Sequence, residues 1–391
     1  MAEKIKLVPR GEAQGYRESD AAFRRQWLKR EVGAEFEHVG QCTIPYEAMR
    51  GNIECPVGSV QMPVAVAGPL LMQGEYAQGQ FYVPLATTEG ALLSSYERGM
   101  VVISRSGGAH ARVLKDENQV TPAFFFETLD EASRLSEFVA AHQEQIVAVA
   151  ESTTRHGKCL DVTVKVSGKT AYVTFAYATG DAHGMNMIVN ATECACRWIV
   201  AQGGAVRYHI FSGLSMEKRP AAGLLAGGKG KTVTVDVVIP KTVLSLYFRA
   251  TAAQYVELWQ QTVTGNLLAG ALGYSGQFAN GLAAIFIACG QDVANLANSA
   301  VGVTRYEALE EGALYASVTL PSIICATVGG GTGLPTSKEC LSLMGCYGAG
   351  QAKKFAEIIG ATLLAGELSI AGAIISGEFV NAHENYGRNR P

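Results

Sequence analysis

The chain has 391 residues, a formal net charge of -3 and only 17% charged residues, with 44 glycines. The slightly acidic balance and the lack of a basic stripe argue against nucleic acid as a partner. Because an average chain has about 25% charged residues, the composition predicts extensive burial of surface, which contact between subunits of a homo-oligomer provides.

Cysteine and histidine usage indicates an intracellular protein without a metal site. The nine cysteines form no CxxC pair, and the seven histidines form no paired ligand pattern. We therefore expect free thiols in a reducing compartment and no bound metal. The N-terminal stretch "MAEKIKLVPRGEAQ" is polar and has no hydrophobic signal core. These features predict a soluble, cytoplasmic protein.

The chain divides into four predicted regions. Residues 1–40 are charged and helix-prone, and they form an N-terminal helical region. Residues 121–211 have the order helix, hairpin, helix and strand, which suits a small α+β domain inserted in a larger one. The larger domain takes residues 41–120 and 212–378. Residues 379–391 form a polar tail, which we expect to be mobile.

Three stretches give the clearest secondary-structure signals. In the small domain, "ETLDEASRLSEFVAAHQEQIVAVAEST" predicts one amphipathic helix, and "CLDVTVKVSGKTAYVTFAYA" predicts a hairpin around "SGKT". The longest apolar run, at 358–377, is rich in small residues and carries Glu367. We expect it to form a central buried helix rather than a membrane span.

The stretch "PLATTEGALLSSYERG" places Glu89 in an apolar, small-residue run. One interpretation is a carboxylate in the first turn of a helix, with Thr87 or Thr88 as the N-cap. The other is a catalytic acid whose poor solvation raises its pKa.

Two glycine-rich stretches bear on phosphate binding. "GGKGKT", at 227–232, ends like a P-loop, but that motif needs a glycine five residues before Gly230, where Leu225 stands. We interpret it as a turn before the strand "TVTVDVVIP". "TVGGGTGLPTSKECL", at 327–341, enters a predicted helix, so it either presents N–H groups to phosphate or forms a plain tight turn.

Three other stretches place charged residues beside glycines or apolar runs. "SMEKRPAAG" sets Lys218 and Arg219 beside Glu217, in a solvated turn or a reactive site. "AIFIACGQDVANLANSAVG" places Asp292 after an apolar run, where it caps the next helix or acts as a desolvated acid or acid partner. "TGDAHGMNMI", at 179–188, joins a predicted strand to a helix and is a weak signal of cofactor contact.

The chain resembles the hydroxymethylglutaryl-coenzyme A reductase family in a set of motifs and in a tail histidine, His383. The motifs, in order, are "PVAVAGPL", "ATTEGALL", "GDAHGMNMI", "EKRPAA", "IACGQDVANLANS" and "TVGGGTGLP…CLSLMG". "EKRPAA" and "GDAHGMNM" look like the class shared by eukaryotes, archaea and some bacteria. The resemblance implies an α+β fold: a large domain around a long central helix, with an inserted ferredoxin-like small domain that binds the nucleotide. It also implies an active site at the interface of an obligate homodimer or higher homo-oligomer.

The resemblance further implies an oxidoreductase that reduces (S)-3-hydroxy-3-methylglutaryl-CoA to mevalonate and CoA, in the mevalonate pathway of isoprenoid precursor synthesis. The thioester becomes a hemithioacetal, an aldehyde and then a primary alcohol. Two NADPH or NADH are consumed, and coenzyme A is part of the substrate. The alternatives are a relative that reduces a different acyl-CoA, one that runs in the oxidative direction, and a non-catalytic CoA- or nucleotide-binding protein.

Carried over position by position, the resemblance implies three groups of site residues. The catalytic residues are Glu89, Lys218, Asp292 and His383. The cofactor-binding residues are Asp181, Gly184, Met185, Asn186, Gly330, Gly331, Thr332 and Gly333. The substrate-binding residues are Glu217, Arg219, Glu54 and Gly58.

The chemistry explains the types of the catalytic residues. A hydride that arrives at a thioester carbonyl creates an oxyanion, which the Lys218 cation stabilises, and Asp292 keeps that cation charged and oriented. Glu89 is the acid that protonates the aldehyde oxygen in the second reduction. The departing thiolate needs a proton, and a histidine such as His383 has a suitable pKa range to supply it.

Two departures from the family bear on the substrate and the cofactor. Some members carry a lysine that grips the free carboxylate of the substrate, but here no Lys or Arg occurs between Arg249 and Arg305. Tyr177 and Ala178 stand where NADPH-using members show Ser-Arg. The loss of such groups at a 2'-phosphate site weakens the preference for NADPH over NADH.

Overall fold

The computed structural model describes residues 6–11 and 15–379, and this part of the chain forms eleven α-helices and ten strands. The helices are α1 (Glu18–Val32), α2 (Leu92–Arg105), α3 (Leu129–Ala141), α4 (Gln143–Glu151), α5 (Met185–Ala201), α6 (Lys241–Phe248), α7 (Ala252–Leu268), α8 (Phe278–Ala288), α9 (Leu296–Ser299), α10 (Pro335–Leu343) and α11 (Ala352–Ser376). The strands are β1 (Val64–Gly74), β2 (Gln78–Ala86), β3 (Ala109–Val120), β4 (Ala123–Phe125), β5 (Lys158–Ser167), β6 (Thr170–Ala178), β7 (Arg207–His209), β8 (Gly230–Ile239), β9 (Val303–Ala308) and β10 (Leu314–Ile323).

Strand β3 joins two parts of one mixed sheet. Its first part, His110 to Glu117, pairs with β8, and its last residues, Asn118 to Val120, pair with β6. The strand order is β7-β4-β6-β3-β8-β10-β9, with β5 beside β6 and β1 between β2 and β3. Among the described strands the pairings are antiparallel except for β1 with β3.

Two separate hydrophobic clusters accompany the two parts of the sheet. The larger one combines side chains of β1, β2, β8 and β10 with those of α2, α8 and α11. The smaller one lies between Val120 and Ala205 and combines β5 and β6 with α3, α4 and α5. The described residues therefore form a mixed α/β protein with two main cores connected through β3. A third, small cluster of Tyr16, Ala21, Tyr46 and Met49 lies in the N-terminal region.

Helix α11 is the buried helix that the apolar run at 358–377 predicts, and it begins earlier, at Ala352. By length and composition it qualifies as a membrane span, but 83% of its most apolar window is buried inside the protein. Helices α2 and α8 and strands β8 and β10 pack around it. The approach of α2 is close enough to require glycine, because a Cβ atom at Gly99 would lie 1.9 Å from the Ala365 carbonyl oxygen.

Glu367 is accommodated in this apolar helix by hydrogen bonds. Its carboxylate accepts from the N–H groups of Gly276 and Gln277, at 2.8 and 2.7 Å, and from the Thr304 hydroxyl at 3.2 Å. Burial raises the pKa of Glu367, and these hydrogen bonds oppose that rise. The carboxylate thus ties α11 to the segment before α8.

The small cluster follows the predicted element order with one correction. The hairpin is β5 and β6, with its turn at Gly168 and Lys169. The single predicted amphipathic helix is instead two helices, α3 and α4, because His142 leaves the helical region at φ -120°. The Phe138 carbonyl accepts the His142 backbone N–H at 3.1 Å and also lies 2.9 Å from His142 Nδ1, so His142 closes the end of α3 through both its backbone and its ring.

Candidate active site

Lys218 and Asp292 form an ion pair, with Nζ 2.6 Å from Oδ2 and both side chains about two-fifths exposed. Asp292 also accepts a hydrogen bond from the Ala294 N–H at 3.1 Å and so caps the short turn that follows it. Burial alone would raise the pKa of Asp292, but the bonds from Lys218 and Ala294 outweigh it and lower the pKa. Asp292 is therefore both a cap and a partner of a cation.

The turn that carries Lys218 has a strained backbone. Met216 and Lys218 have φ values of 54° and 52°, in the left-handed region that non-glycine residues seldom occupy. Asn298, fully buried, clamps this turn: its Oδ1 accepts from the Lys218 N–H at 2.8 Å, and its Nδ2 donates to the Met216 carbonyl at 2.7 Å. The clamp fixes where the Lys218 side chain leaves the backbone.

Glu217 lies between two basic side chains. Its Oε2 is 2.5 Å from the ammonium of the fully buried Lys229, and its Oε1 is 3.9 Å from His183 Nε2. Burial lowers the pKa of His183, and the cations of Lys229 and Lys218 lower it further, against the opposing effects of the Glu217 and Asp292 carboxylates. His183 therefore favours the neutral form, although a carboxylate lies nearby.

These side chains border an open cavity of about 1110 Å³. One wall is the start of α5, from Gly184 to Asn186, and another is the glycine-rich loop from Gly329 to Thr332. Gly329 and Gly330 have φ values of 77° and 54°, and a Cβ atom on either would meet no atom within 4 Å. Their backbone therefore faces open space, as a ligand-approaching loop requires.

The structure brings together nine of the predicted site residues and leaves others apart. The cavity is lined by Gly184, Met185, Asn186, Glu217, Lys218, Asp292, Gly330, Gly331 and Thr332. The predicted residues outside its lining are Glu54, Gly58, Glu89, Asp181, Arg219 and Gly333. His383 lies outside the described residues. Gly58 packs instead on the N-terminal segment, where a Cβ atom would lie 1.9 Å from the Val39 carbonyl oxygen.

Asp181 supports the cavity through the backbone. Its carboxylate accepts from the N–H groups of Gly350, at 2.7 Å, and Ala352, at 3.0 Å, and so caps the start of α11. Its carbonyl accepts from the Thr327 N–H at 2.9 Å. Asp181 thus ties the loop before α5 to the start of the glycine-rich stretch.

Two expectations about Glu89 are wrong for this single chain. The residue does not lie in the first turn of a helix, because α2 begins at Leu92 after Ala91 adopts φ 68°. It is not poorly solvated either, since its side chain is exposed and receives one long hydrogen bond, 3.3 Å, from Asn280 Nδ2. The Thr87 hydroxyl accepts the Glu89 N–H at 3.0 Å and shapes the loop instead of capping a helix.

Sequence reasoning missed four residues that shape this region. They are Asn298, which clamps the Lys218 turn, His183 and Phe211, which line the cavity, and Lys229, which pairs with Glu217. Asn298 and His183 lie inside quoted motifs without being singled out, and Lys229 lies in "GGKGKT". No sequence pattern marks Phe211 as a site residue. It differs from a core phenylalanine only in being 50% exposed beside the cavity, which the structure alone reveals.

The lining of this cavity offers groups that suit a dinucleotide. A helix N-terminus and a glycine-rich loop offer N–H groups to phosphates, and Lys218 offers a cation to a reacting carbonyl. Apart from Glu217 Oε2, which pairs with the Lys229 ammonium, two buried polar atoms of cavity-lining residues have no hydrogen-bond partner within the described ranges: His183 Nε2 and Asn295 Oδ1. Such atoms are expected where a ligand completes the site. Fold and site together have the features of a dinucleotide-dependent enzyme.

Comparisons with known proteins identify the family. The sequence profile of hydroxymethylglutaryl-coenzyme A reductase matches residues 20–388, and the chain belongs to this family. A protein of Methanocaldococcus jannaschii named 3-hydroxy-3-methylglutaryl-coenzyme A reductase is 40% identical over 374 residues, which are 94% of this chain and 92% of that protein. A protein of the same name from Methanothermobacter thermautotrophicus is 42% identical over 369 residues, 94% and 93% of the two chains.

Solved structures share the fold at low sequence identity. The class II 3-hydroxy-3-methylglutaryl-CoA reductase of Streptococcus pneumoniae, determined with NADPH bound in open conformations, has a TM-score of 0.70. The two sequences are 20% identical, and the superposed region covers 92% of this chain and 99% of the Streptococcus pneumoniae chain. A second structure of the enzyme from that organism has a TM-score of 0.67. At this identity the comparison establishes the architecture alone.

Proposed function

We propose that this protein catalyses the NAD(P)H-dependent, four-electron reduction of (S)-3-hydroxy-3-methylglutaryl-CoA to mevalonate and CoA. Family membership over residues 20–388 and the archaeal relatives named as reductases support this proposal. The observation that carries it is the Lys218–Asp292 pair, 2.6 Å apart, in a cavity that also offers a helix N-terminus and an open glycine loop. This combination suits hydride transfer to a carbonyl better than binding alone.

The roles of the side chains follow from where charge develops. Bound NADPH or NADH supplies hydride, first to the thioester carbonyl and then to the aldehyde. The Lys218 ammonium stabilises the oxyanion of each reduction, and Asp292 orients that ammonium. Glu89 protonates the aldehyde oxygen, and His383 of the tail protonates the departing thiolate. In the large cavity, the substrate lies beside Glu217 and near Arg219. Glu54 and Gly58 lie outside the lining of that cavity, and their proposed role is contact with the coenzyme A portion.

The cofactor is held by the start of α5 and by the glycine-rich loop. Gly184 to Asn186, Gly330 and Gly331 present backbone N–H groups to its phosphates. Thr332 and Gly333 complete the loop, with the Thr332 N–H donated to the Gly329 carbonyl at 3.3 Å. Tyr177 takes no part, because its side chain is buried in the small cluster with its hydroxyl 2.9 Å from the Thr192 hydroxyl. Neither NADPH nor NADH is excluded by this arrangement, so both belong in any assay.

A homodimer completes the proposed site. Glu89 is exposed and lies outside the cavity lining of its own chain, so we propose that it serves the cavity of a second subunit. Mixing E89Q and K218M subunits tests this: a heterodimer then contains one site with both native residues, and activity should reappear. If the mixture stays as inactive as its components, the two residues act in the same chain.

The two hydrophobic clusters support the predicted domain division. We propose that residues 41–120 and 212–378 form the substrate and dimerisation domain, and that residues 121–211 form the inserted, ferredoxin-like nucleotide domain. Residues 1–40 would cover the large domain, and residues 379–391 would carry His383 to the site. The nine cysteines, which form no CxxC pair, favour a cytoplasmic location.

One observation favours a second substrate class. The lysine and arginine side chains that line the cavity among the described residues are Lys218 and Arg197, and each is already paired, with Asp292 and Glu193 respectively. An exposed aromatic ring, Phe211, lines the same cavity. An acyl-CoA without a free carboxylate would suit these surroundings, and Arg219, beside the cavity, is the cation that would serve a carboxylate.

A substrate comparison separates these possibilities. Oxidation of NADPH and NADH is followed with hydroxymethylglutaryl-CoA and with acyl-CoAs of similar size that lack the carboxylate. The proposal expects the highest kcat/KM on hydroxymethylglutaryl-CoA. Faster turnover of the uncharged acyl groups would overturn it in favour of the second class, and no oxidation with any of them would favour a binding protein.

A further inference from the structure

The "GGKGKT" stretch contains a completely buried lysine. Lys229 has no exposed surface, and its Nζ donates to the Gln119 carbonyl at 2.9 Å and lies 3.6 Å from Met185 Sδ. Its only ionic partner within the described part of the chain is Glu217, 2.5 Å away. Taking a lysine ammonium out of water is costly unless its charge is paired, so this pair needs a physical reason.

The glycines on either side of Lys229 direct its side chain inward. Gly228 and Gly230 have φ values of 93° and 95°. A Cβ atom at Gly228 would lie 2.4 Å from Gln119 Nε2, and one at Gly230 would lie 2.3 Å from the Ile323 carbonyl oxygen. The resemblance of this stretch to a P-loop therefore arises from glycines that allow close backbone packing around a buried cation.

Lys229 contacts the segment that places the reactive cation. Glu217 immediately precedes Lys218, in the turn whose backbone is left-handed at Met216 and at Lys218. Asn298 clamps that turn through its backbone, and the Lys229–Glu217 pair fixes it through a side chain. Met185, the first residue of α5, lies on the same ammonium, so Lys229 also relates this turn to the predicted cofactor helix.

We propose that Lys229 is a positioning residue: by pairing with Glu217 it fixes the 216–219 turn and thereby the Lys218 ammonium relative to Asp292 and the start of α5. This inference rests on the proposed function only for its effect on turnover. Its structural part, that the turn loses its fixed conformation without Lys229, does not depend on which reaction the protein catalyses.

Lys231 supplies a matched control. It is also a buried lysine of the "GGKGKT" stretch, 2% exposed, and it pairs with Asp116 at 3.1 Å. Within the described residues it does not line the large cavity, and no hydrogen bond or ion pair joins its side chain to the 216–219 turn. K229M and K231M therefore each remove one buried lysine charge at the start of β8, but only K229M removes the contact with Glu217.

The test combines amide hydrogen exchange with steady-state kinetics on the full chain. In K229M, exchange in the peptide spanning residues 212–221 should accelerate at least about tenfold, and kcat for NAD(P)H oxidation with hydroxymethylglutaryl-CoA should fall about 100-fold. KM should change much less, because the affected interaction acts on the reacting group. K231M should show neither effect, and K229R, which keeps a cation for Glu217, should recover part of both.

Unchanged exchange in residues 212–221 of K229M, or equal effects in K231M, would overturn the proposal. If K229M does not fold, E217Q removes the same pair from its half-buried side and should accelerate exchange in the same peptide; no acceleration there would also overturn it. A native protein that oxidises neither cofactor with any acyl-CoA would refute the proposed function, while the exchange measurement would still decide the role of Lys229.

Discussion

The Lys218 ammonium lies 2.6 Å from the Asp292 carboxylate, and each residue is fixed by a second, independent contact. The Lys218 backbone N–H donates to Asn298 Oδ1, and the Asp292 carboxylate accepts from the Ala294 N–H. The pair is about two-fifths exposed, so it adds little to stability as a salt bridge. Its geometry instead serves to present one cation to the cavity.

Lys218→Met should remove most of the turnover without unfolding the protein. In the proposed mechanism the lost cation stabilises the oxyanion, and the loss of one such group costs about 10²- to 10³-fold in kcat. The exposed Lys169, at the turn of the β5–β6 hairpin, provides the control K169M. Equal kcat values for K218M and K169M would show that Lys218 has no such role.

Two substitutions separate the functions of Asp292. D292N and D292A both remove the carboxylate that orients Lys218, so both should lower kcat. Asn remains a good cap for the Ala294 N–H, whereas Ala does not, so D292A should lose about 1 kcal/mol more unfolding free energy than D292N. Urea denaturation measures this difference. Identical stabilities would mean that the capping bond contributes nothing.

Gly330→Ala should weaken dinucleotide binding. The added methyl group would enter the cavity at a residue with φ 54° and no atom within 4 Å of its Cβ position. Gly168, in the β5–β6 turn, has φ 56° and an equally open Cβ position, so G168A carries the same strain, about 1–2 kcal/mol, outside the cavity. We expect KM for NAD(P)H to rise about tenfold, or about 1.4 kcal/mol, in G330A only. A similar rise in G168A would show that strain alone is responsible.

His183 should make the fold less stable in mild acid. Burial lowers its pKa in the folded protein, while the unfolded chain has an ordinary histidine pKa of about 6.5. As the pH falls through about 6.5, the unfolded state takes up a proton that the folded state does not, so stability is lost. The unfolding free energy of H183M should therefore fall less between about pH 7.5 and about pH 5.5. A substitution of the exposed His156, H156M, should behave as the native chain; the same pH dependence in H183M as in the native protein would contradict this account.

The contact between α2 and α11 should tolerate no side chain at Gly99. Because the Cβ atom would lie 1.9 Å from a backbone oxygen of α11, the helices must separate, at a cost of about 1–3 kcal/mol or more. Gly265, in the exposed face of α7, has no atom within 4 Å of its Cβ position, and G265A should gain up to about 1 kcal/mol. Thermal unfolding of G99A and G265A should shift in opposite directions, and parallel shifts would refute the packing argument.

Elements with a strong local signal could be predicted from the sequence, whereas contacts between distant segments could not. The β5–β6 hairpin and the buried α11 follow from alternation and from a long apolar run. The break at His142 and the late start of α2 depend on single backbone conformations, at His142 and Ala91, which no periodicity encodes. Helix boundaries of this kind cannot be predicted from local sequence patterns.

The candidate site was predictable in part for the same reason. Lys218, Asp292 and the glycine-rich loop lie in motifs whose order indicates a family, so they could be named from the sequence. The buried position of Lys229 could not, because it depends on packing against Gln119, Met185 and Glu217 from three separate segments. The solvation of Glu89 within a single chain was misjudged because apolar neighbours in sequence are not neighbours in space.

The most direct test of the central claim is the stoichiometry of a single reaction progress curve. With hydroxymethylglutaryl-CoA as substrate, NAD(P)H oxidation and the release of free CoA thiol are measured together, and the organic product is identified. Because each hydride carries two of the four electrons, the account predicts two NAD(P)H oxidised per CoA released, with mevalonate as the product. One NAD(P)H per CoA with an aldehyde product, or CoA release without oxidation, would contradict it.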